Sequence, residues 1–503
     1  MDHTPSWYPK TNRNTAPRAD HTPGWYPKEQ STTPEIRPTA AESTDQSLEI
    51  VPLDQPLYQG PRTNRRAFLT LAAAAGAAAI GGAGLLRGET PVEPTMGSAM
   101  DAQGAVAPPM TVQPPPVNVT STRTVAAGSD LANRTLVVVE LQGGNDGLAT
   151  LVPRNAGALY DTREAVHIPD EELLDFTDDF GWNPKLAGLS GHGMAAVLGL
   201  GATTGFNGSH FEMEQRWWAG KSSGQDLPFT GFFGRLCDQL AVDQPVTGVS
   251  LGSNASPALR ADHAVTVGLS DYRAGWFLHT DNAFYRNMRT AMAAMANGST
   301  MPSDMSGDAV FARMTGARAG LSDTLSFGET LAEIDEERVD SVYPQYELGK
   351  LFGAASELIR QEAGIRVIHL THGGFDTHSN QRGTHDYLLE QLGEAMGTFL
   401  SDVDELGYSD STLVCTTSEF GRRVHQNQAG TDHGQAGMAM LSGPVNPGIH
   451  GEAPSLTNLD EGNLITTVDF EQYYATIAEQ WFGIHSSEVL DSGAAPIDGL
   501  IAT

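Results

Sequence analysis

Six consecutive residues, Leu136-Val137-Val138-Val139-Glu140-Leu141, constrain the fold more than any other stretch of this chain. A nearly unbroken β-branched run with no apolar/polar alternation has no face to give to water. It therefore predicts a strand covered on both sides, the usual situation in parallel sheets. The run ends in Gly143-Gly144-Asn145-Asp146-Gly147, which marks a tight loop. Comparable runs are Ala195 to Leu200, Arg366 to Leu370 and Thr412 to Thr417. Between them lie helical patterns, such as Tyr387 to Leu406 with Leu388, Leu392, Met396, Phe399 and Val403 three or four apart. Strands alternating with helices predict an α/β fold, a mostly parallel sheet with helices on both faces.

The remainder of the 503 residues divides by composition. Residues 1–60 are rich in Pro, Thr, Asp and Asn and lack aliphatic periodicity, so they read as a disordered extension. Within it a unit appears twice, Asp2 to Lys10 and Asp20 to Lys28, as Asp-His-Thr-Pro-x-Trp-Tyr-Pro-Lys. It reads either as an extended motif for an aromatic-lined groove on a partner or as a duplication without function. Residues 61–87 place Arg65-Arg66 and Phe68-Leu69 before a weakly hydrophobic Ala/Gly segment. This looks like a bacterial twin-arginine signal, and predicts export through the twin-arginine translocase to a periplasmic or extracellular location. The cleavage position is open between Ala107 and Ala99, and an uncleaved signal would anchor the chain in the membrane. Residues 88–130 read as a Pro-rich linker and 131–485 as the α/β domain. Within that domain 283–362 reads as a helical insertion or cap, and 486–503 as a C-terminal tail.

The 30 Lys and Arg stand against 61 Asp and Glu, a formal charge of −31, which argues against nucleic acid as a partner. With only two cysteines, Cys237 and Cys415, a disulfide framework or cysteine-ligated zinc site is excluded. Both fall in apolar patterns, so they are expected as reduced, buried thiols.

In a doubly covered parallel sheet, ligands bind beyond the carboxyl ends of the strands. Three expected strand ends carry acids or imidazoles: Asn145-Asp146, the segment His372 to His378, and Ser418 to Arg423. Thr431-Asp432-His433-Gly434 follows shortly after. In an extended segment Asp376 and His378 project to one side, where a carboxylate and an imidazole can share a metal. Each strand-end acid has a structural alternative as a helix cap; the four clusters together point to a metal site. Ser209, before the helical pattern of Glu212 to Ala219, reads as a nucleophile or as a capping residue with Glu212 completing a capping box. His210, His372 and His425 are candidates for proton transfer or ligand orientation.

Taken in order, Gly-Gly-Asn-Asp-Gly, Ser-His-Phe before a Trp-bearing helix, Gly-Gly-Phe-Asp-Thr-His, Ser-Glu-Phe-Gly-Arg-Arg and Thr-Asp-His-Gly resemble a bacterial family of twin-arginine-exported proteins of unknown function. That family looks like a branch of the alkaline phosphatase and sulfatase superfamily, and the resemblance spans the globular part. It implies a three-layer sandwich and one or two divalent ions, with zinc, manganese, iron, calcium or magnesium all compatible with mixed carboxylate and imidazole ligands. Asp146 would bind the second metal; Asp376, His378 and His433 would bind the first. Glu419 falls where the superfamily usually has Asp followed by His, but Phe420 follows here; either Asp432 replaces that imidazole or only one metal binds. Ser209 stands near the nucleophile, and Arg422 or Arg423 would hold the equatorial oxygens of the substrate, unless paired with acidic neighbours. The implied activity is metal-dependent hydrolysis of phosphate or sulfate esters on a small anionic or glycan substrate. The alternative is a non-catalytic exported protein that uses the cleft to hold an anionic ligand, glycan or protein partner.

Overall fold

The structure, a computed structural model, describes residues 130–241, 246–253, 255–270, 283–297 and 309–502. The N-terminal repeat, the twin-arginine segment and nearly all of the linker lie outside the described residues.

A nine-stranded sheet organises the domain. Its strands are β1 (Thr135–Gln142), β2 (Met194–Gly201), β3 (Gly248–Leu251), β4 (Thr266–Leu269), β5 (Val367–Gly373) and β6 (Thr412–Thr417). After a two-stranded hairpin, β7 (Gly421–Asn427) and β8 (Gly430–Gly434), the sheet resumes with β9 (Gly437–Ser442), β10 (Gly448–His450) and β11 (Val468–Asp469). The order is β10-β2-β9-β6-β1-β5-β3-β4, with β11 also on β2. Every pairing is parallel except those of β9 with β2 and β6. The Val-rich run is thus the central strand, flanked by β5 (Val138 opposite His369) and β6 (Val138 opposite Cys415).

Alternate residues of these strands enter two separate cores, which explains the absence of polar alternation. Val137, Val139 and Leu141 pack with helices α6 (Glu347–Arg360) and α7 (Gln381–Glu405) on one face. Leu136 and Val138 pack with α1 (His210–Ala219), α2 (Phe232–Leu240) and α8 (Phe470–Thr476) on the other. The result is the expected three-layer α/β arrangement. Each fully buried Val or Leu contributes about 1.5–3 kcal/mol to holding the layers together.

Two expected boundaries change. The described residues of 283–362 are largely helical, with α3 (Ala283–Asn297), α4 (Ala309–Ala332) and α5 (Glu336–Val342) preceding α6. Yet α6 is no appendage: Leu348, Leu351, Phe352 and Leu358 are buried against the sheet, in the core that also takes Val339 of α5. The segment 486–503 is not a loose tail either, since Val489, Leu490, Leu500 and Ile501 lie in the opposite core and Ile501 bridges Val445. Cys237 and Cys415 are free and buried, and burial pushes the Cys415 thiol up to about 12. No helix among the described residues is long and apolar enough to cross a membrane.

Candidate metal centre

The loops beyond the carboxyl ends of β1, β5 and β6 meet at one place, and two glycines make the meeting possible. Gly143 and Gly144 have φ of +116° and +81°; a Cβ on Gly143 would lie 2.4 Å from the Asp376 nitrogen. Only glycine combines that backbone with that approach. Phe420, in the position where the resemblance expects an imidazole, packs its ring 4.5 Å from that of His433 and 4.8 Å from that of His210. It acts as an apolar floor beneath them, which is why no ligand is found there.

Asp376 is the hub. Its Oδ1 lies 3.1 Å from His378 Nε2, 3.1 Å from His433 Nε2 and 3.4 Å from His210 Nε2. The ligating atoms of His210, Asp376 and His433 all fall within 4.8 Å of one another, and His378 Nε2 adjoins them, 2.9 Å from His433 Nε2. Each ring has an acceptor at its other nitrogen: Glu419 Oε1 at 2.8 Å for His210, Gly208 O at 2.7 Å for His433 and Asp432 Oδ1 at 3.3 Å for His378. An acceptor there keeps the proton on Nδ1, so in the neutral rings the Nε2 lone pairs converge on a carboxylate oxygen. Lone pairs facing one another are repulsive without a cation between them, and His210 Nε2 is buried without a hydrogen-bond partner. The separations suit a divalent ion held at about 2.0–2.2 Å by imidazole and carboxylate ligands. The residues therefore fit a metal.

The electrostatics agree. Burial alone would raise the Asp376 carboxyl, but the hydrogen bond and charge of Arg422 hold it down at about 2. The Glu419 hydrogen bond raises the His210 imidazole above its ordinary range, and burial lowers that of His433. The centre is open on one side: the Asp376 side chain is 47% exposed.

Several expected site residues serve elsewhere. Asp146 is 1% exposed; its Oδ1 caps the turn Gly147–Thr150 through Leu148 N–H, and its Oδ2 takes Arg163 Nη1 at 2.6 Å and Gln381 Nε2. Arg163, equally buried, also donates to the Val424 and Arg423 carbonyls. The place of a second cation beside Asp146 is thus filled by a guanidinium, and its carboxyl stays low against the upward push of burial. Arg422 is not a substrate fork: it donates to the carbonyls of Gly143, Gly144, Phe375 and Thr431 and to Asp376 Oδ1, clamping three loops together. Arg423 is bonded through Nε to the His433 carbonyl. Glu419 and Asp432 orient histidines rather than facing the centre, and Glu419 also accepts from Gly143 N–H at 2.8 Å. Ser209 caps α1 through Glu212 N–H at 3.4 Å; the Glu212 carboxylate goes to Asn207 and Arg216, so no reciprocal capping box forms. His210, expected to transfer protons, stands in the group that could hold a metal. His372 is a core histidine bonded to the Leu388 carbonyl, and His425 is exposed on β7.

Sequence reasoning missed Arg163, Gln381 and His385. The last is fully buried, with Nε2 3.0 Å from Asn145 Oδ1, and burial lowers its pKa to about 4. Gln381 and His385 are i,i+4 on the first turns of α7, a spacing that puts both on the face toward the Asn145-Asp146 loop.

Comparison with known proteins finds distant structural likenesses and a family. The chain is similar to an alkaline phosphatase superfamily protein from Vibrio parahaemolyticus (12% identity, TM-score 0.34, 70% of this chain and 67% of that one). It is also similar to a sulfatase from Pseudoalteromonas sp. (11%, 0.32, 74% and 73%) and to alkaline phosphatase from the Antarctic bacterium TAB5 (11%, 0.28, 63% and 94%). No curated protein matches the sequence. The family described as "Protein of unknown function (DUF1501)" matches residues 205–492, more than half of the chain and the stretch that holds His210, Asp376, His378 and His433, so the chain belongs to that family.

Proposed function

We propose that this protein is an exported hydrolase of phosphate or sulfate esters, built on a mononuclear metal centre. The observation that carries the reading is the convergence of His210, His433 and Asp376, with His378 beside them, each ring held in one tautomer by an acceptor at Nδ1. A divalent ion bound there supplies Lewis-acid polarisation of an ester oxygen and makes water acidic enough to react near neutral pH.

The chain's own residues do the rest. Asp376 and the three imidazoles hold the ion; Glu419 and Asp432 fix the rings and can take a proton at Nδ1 of His210 and His378. Arg422 is spent on loop carbonyls and Asp376 and is not free to bind an anionic ester. The Asp146–Arg163 pair supports one ion rather than two. Zinc, manganese and iron suit this ligand set better than calcium or magnesium, because imidazole nitrogen predominates.

A second reading, a non-catalytic binding protein, draws on the Ser209 hydroxyl being engaged in capping and on Arg422 being spent on loop carbonyls. Turnover separates the two: metal-loaded protein should cleave 4-nitrophenyl phosphate or sulfate, and Asp376→Asn should abolish cleavage and metal together. Metal-replete protein inert on phosphomonoesters, phosphodiesters and sulfate esters would reject the hydrolase reading. For export, the proposed twin-arginine signal requires that replacing Arg65 and Arg66 by Lys retain the protein in the cytoplasm.

A further inference from the structure

Helix α1 does more than deliver His210. Phe211, Gln215 and Trp218 follow one another at i, i+4 and i+7 and form a single stripe along it. Phe211, beside the metal-binding histidine, is 74% exposed, an unusual position for a ring that nothing covers. The other end of the stripe, about 12 Å from His210 along the helix, opens into a cavity of about 280 Å³. Gln215 and Trp218 form one wall; Pro228, Phe229 and Pro257 form the others, with Arg260 at the rim. Trp218 is held rigid by its indole N–H, which donates to Glu140 Oε1 at 2.8 Å. Arg260 lies over the Phe229 ring at 4.3 Å and donates to the Phe229 carbonyl at 3.1 Å, so cation and ring form one fixed unit.

Arg260 is also electrostatically unusual. In a chain with a formal charge of −31, no ion pair among the described residues involves it. A cation with no carboxylate partner among the described residues of so acidic a protein, on the rim of a flat-walled cavity, is complementary to an anion carried on a ring. The walls narrow the ring's chemistry. Trp and Phe faces take an apolar face, while Gln215 and the guanidinium take hydrogen-bonding groups at its edge; a sugar has both.

We propose that this groove is a binding subsite for an anionic sugar unit, sulfated or carboxylated, and that the Phe211–Gln215–Trp218 stripe is the track along which a glycan runs from it to the metal centre. The inference rests on the hydrolase reading for what happens at the centre, but binding in the groove does not depend on it. The substrate is then an oligosaccharide whose anionic ester lies at the metal while a second anionic unit, one helix length away, is held by Arg260.

The test is calorimetric binding of a size series of chondroitin sulfate oligosaccharides, their desulfated uronate-bearing parents and neutral dextran oligosaccharides to the full chain, with and without chelator. Arg260→Gln and Phe229→Ala, both at the surface of the groove, should each weaken binding of the anionic series by about tenfold or more, with metal content and melting temperature unchanged. Affinity should persist after chelation and rise from the disaccharide to the tetrasaccharide. Loss of binding in the desulfated arm assigns the anion as sulfate, and its retention assigns the carboxylate. Binding of neither anionic series, equal binding of dextran, or affinity indifferent to both substitutions would overturn the proposal. Failure of the hydrolase reading shows up separately, as absent metal or absent turnover with groove binding intact.

Discussion

Two aspartates follow two strands of this sheet through paired glycines, and they have opposite fates. Asp146, after Gly143-Gly144, is sealed from water, caps a turn and neutralises Arg163. Asp376, after Gly373-Gly374, is half exposed and ringed by the Nε2 atoms of three histidines. The sequence signal, two glycines and then an aspartate two residues on, is the same in both. What distinguishes the structural acid from the one proposed to ligate is the partner that the rest of the chain delivers: a permanently charged guanidinium with its own hydrogen bonds in one case, and imidazoles whose Nε2 atoms converge on it in the other.

The difference can be broken most forcefully at the buried pair. Arg163→Met leaves the Asp146 charge uncompensated and should cost about 3–5 kcal/mol, read as a fall in the denaturant midpoint. Substitution at the metal cluster should cost the metal-free protein far less. Equal losses at both places would erase the contrast.

The next effect comes from His385, which lies against the same loop as Asp146. Its folded pKa of about 4 lies below the ordinary value near 6.5, so the unfolded chain binds the extra proton first as pH falls. Its contribution is therefore fully present above about pH 6.5 and is lost progressively down to about pH 4, amounting to roughly 3 kcal/mol. Unfolding curves across that window should show the slope in the native sequence and a shallower one in His385→Asn.

At the other aspartate, Glu419→Gln keeps the shape but weakens the acceptor at His210 Nδ1. It should lower metal affinity about 10–100-fold, measured by competition with a chelating dye. Affinity unchanged by this substitution would mean that His210 is not a ligand. The smallest effect belongs to Ser209→Ala, which removes a cap: stability should fall by about 0.5–2 kcal/mol while metal content and turnover persist. Lost turnover at full metal content would instead restore Ser209 as the nucleophile.

Much of this arrangement was legible in advance. The Val run, the run before His372 and the run ending at Thr417 became the three adjacent central strands, because a strand buried on both faces must be continuously apolar. Asp376, His378 and His433 could be marked for the centre because they sit at strand ends or beside them. The partition of roles was not legible. Arg163 reaches Asp146 across 17 residues and Gln381 across 235, and neither spacing carries a periodic signal. Arg422 and Arg423 are neighbours in sequence, yet strand alternation sends one into the core and leaves the other half-buried. The tail was misjudged for a related reason: its few apolar residues are too sparse to show a period, but Leu500 and Ile501 complete a core made elsewhere.

The central claim is that one aspartate holds a metal and the other a guanidinium, and elemental analysis of protein purified after native export tests it most directly. The account predicts about one equivalent of a transition metal per chain, lost in an Asp376→Asn/His433→Ala double variant and retained in Asp146→Asn to the extent that this variant folds. Two equivalents in the native protein, or one equivalent that survives the double substitution, would contradict it.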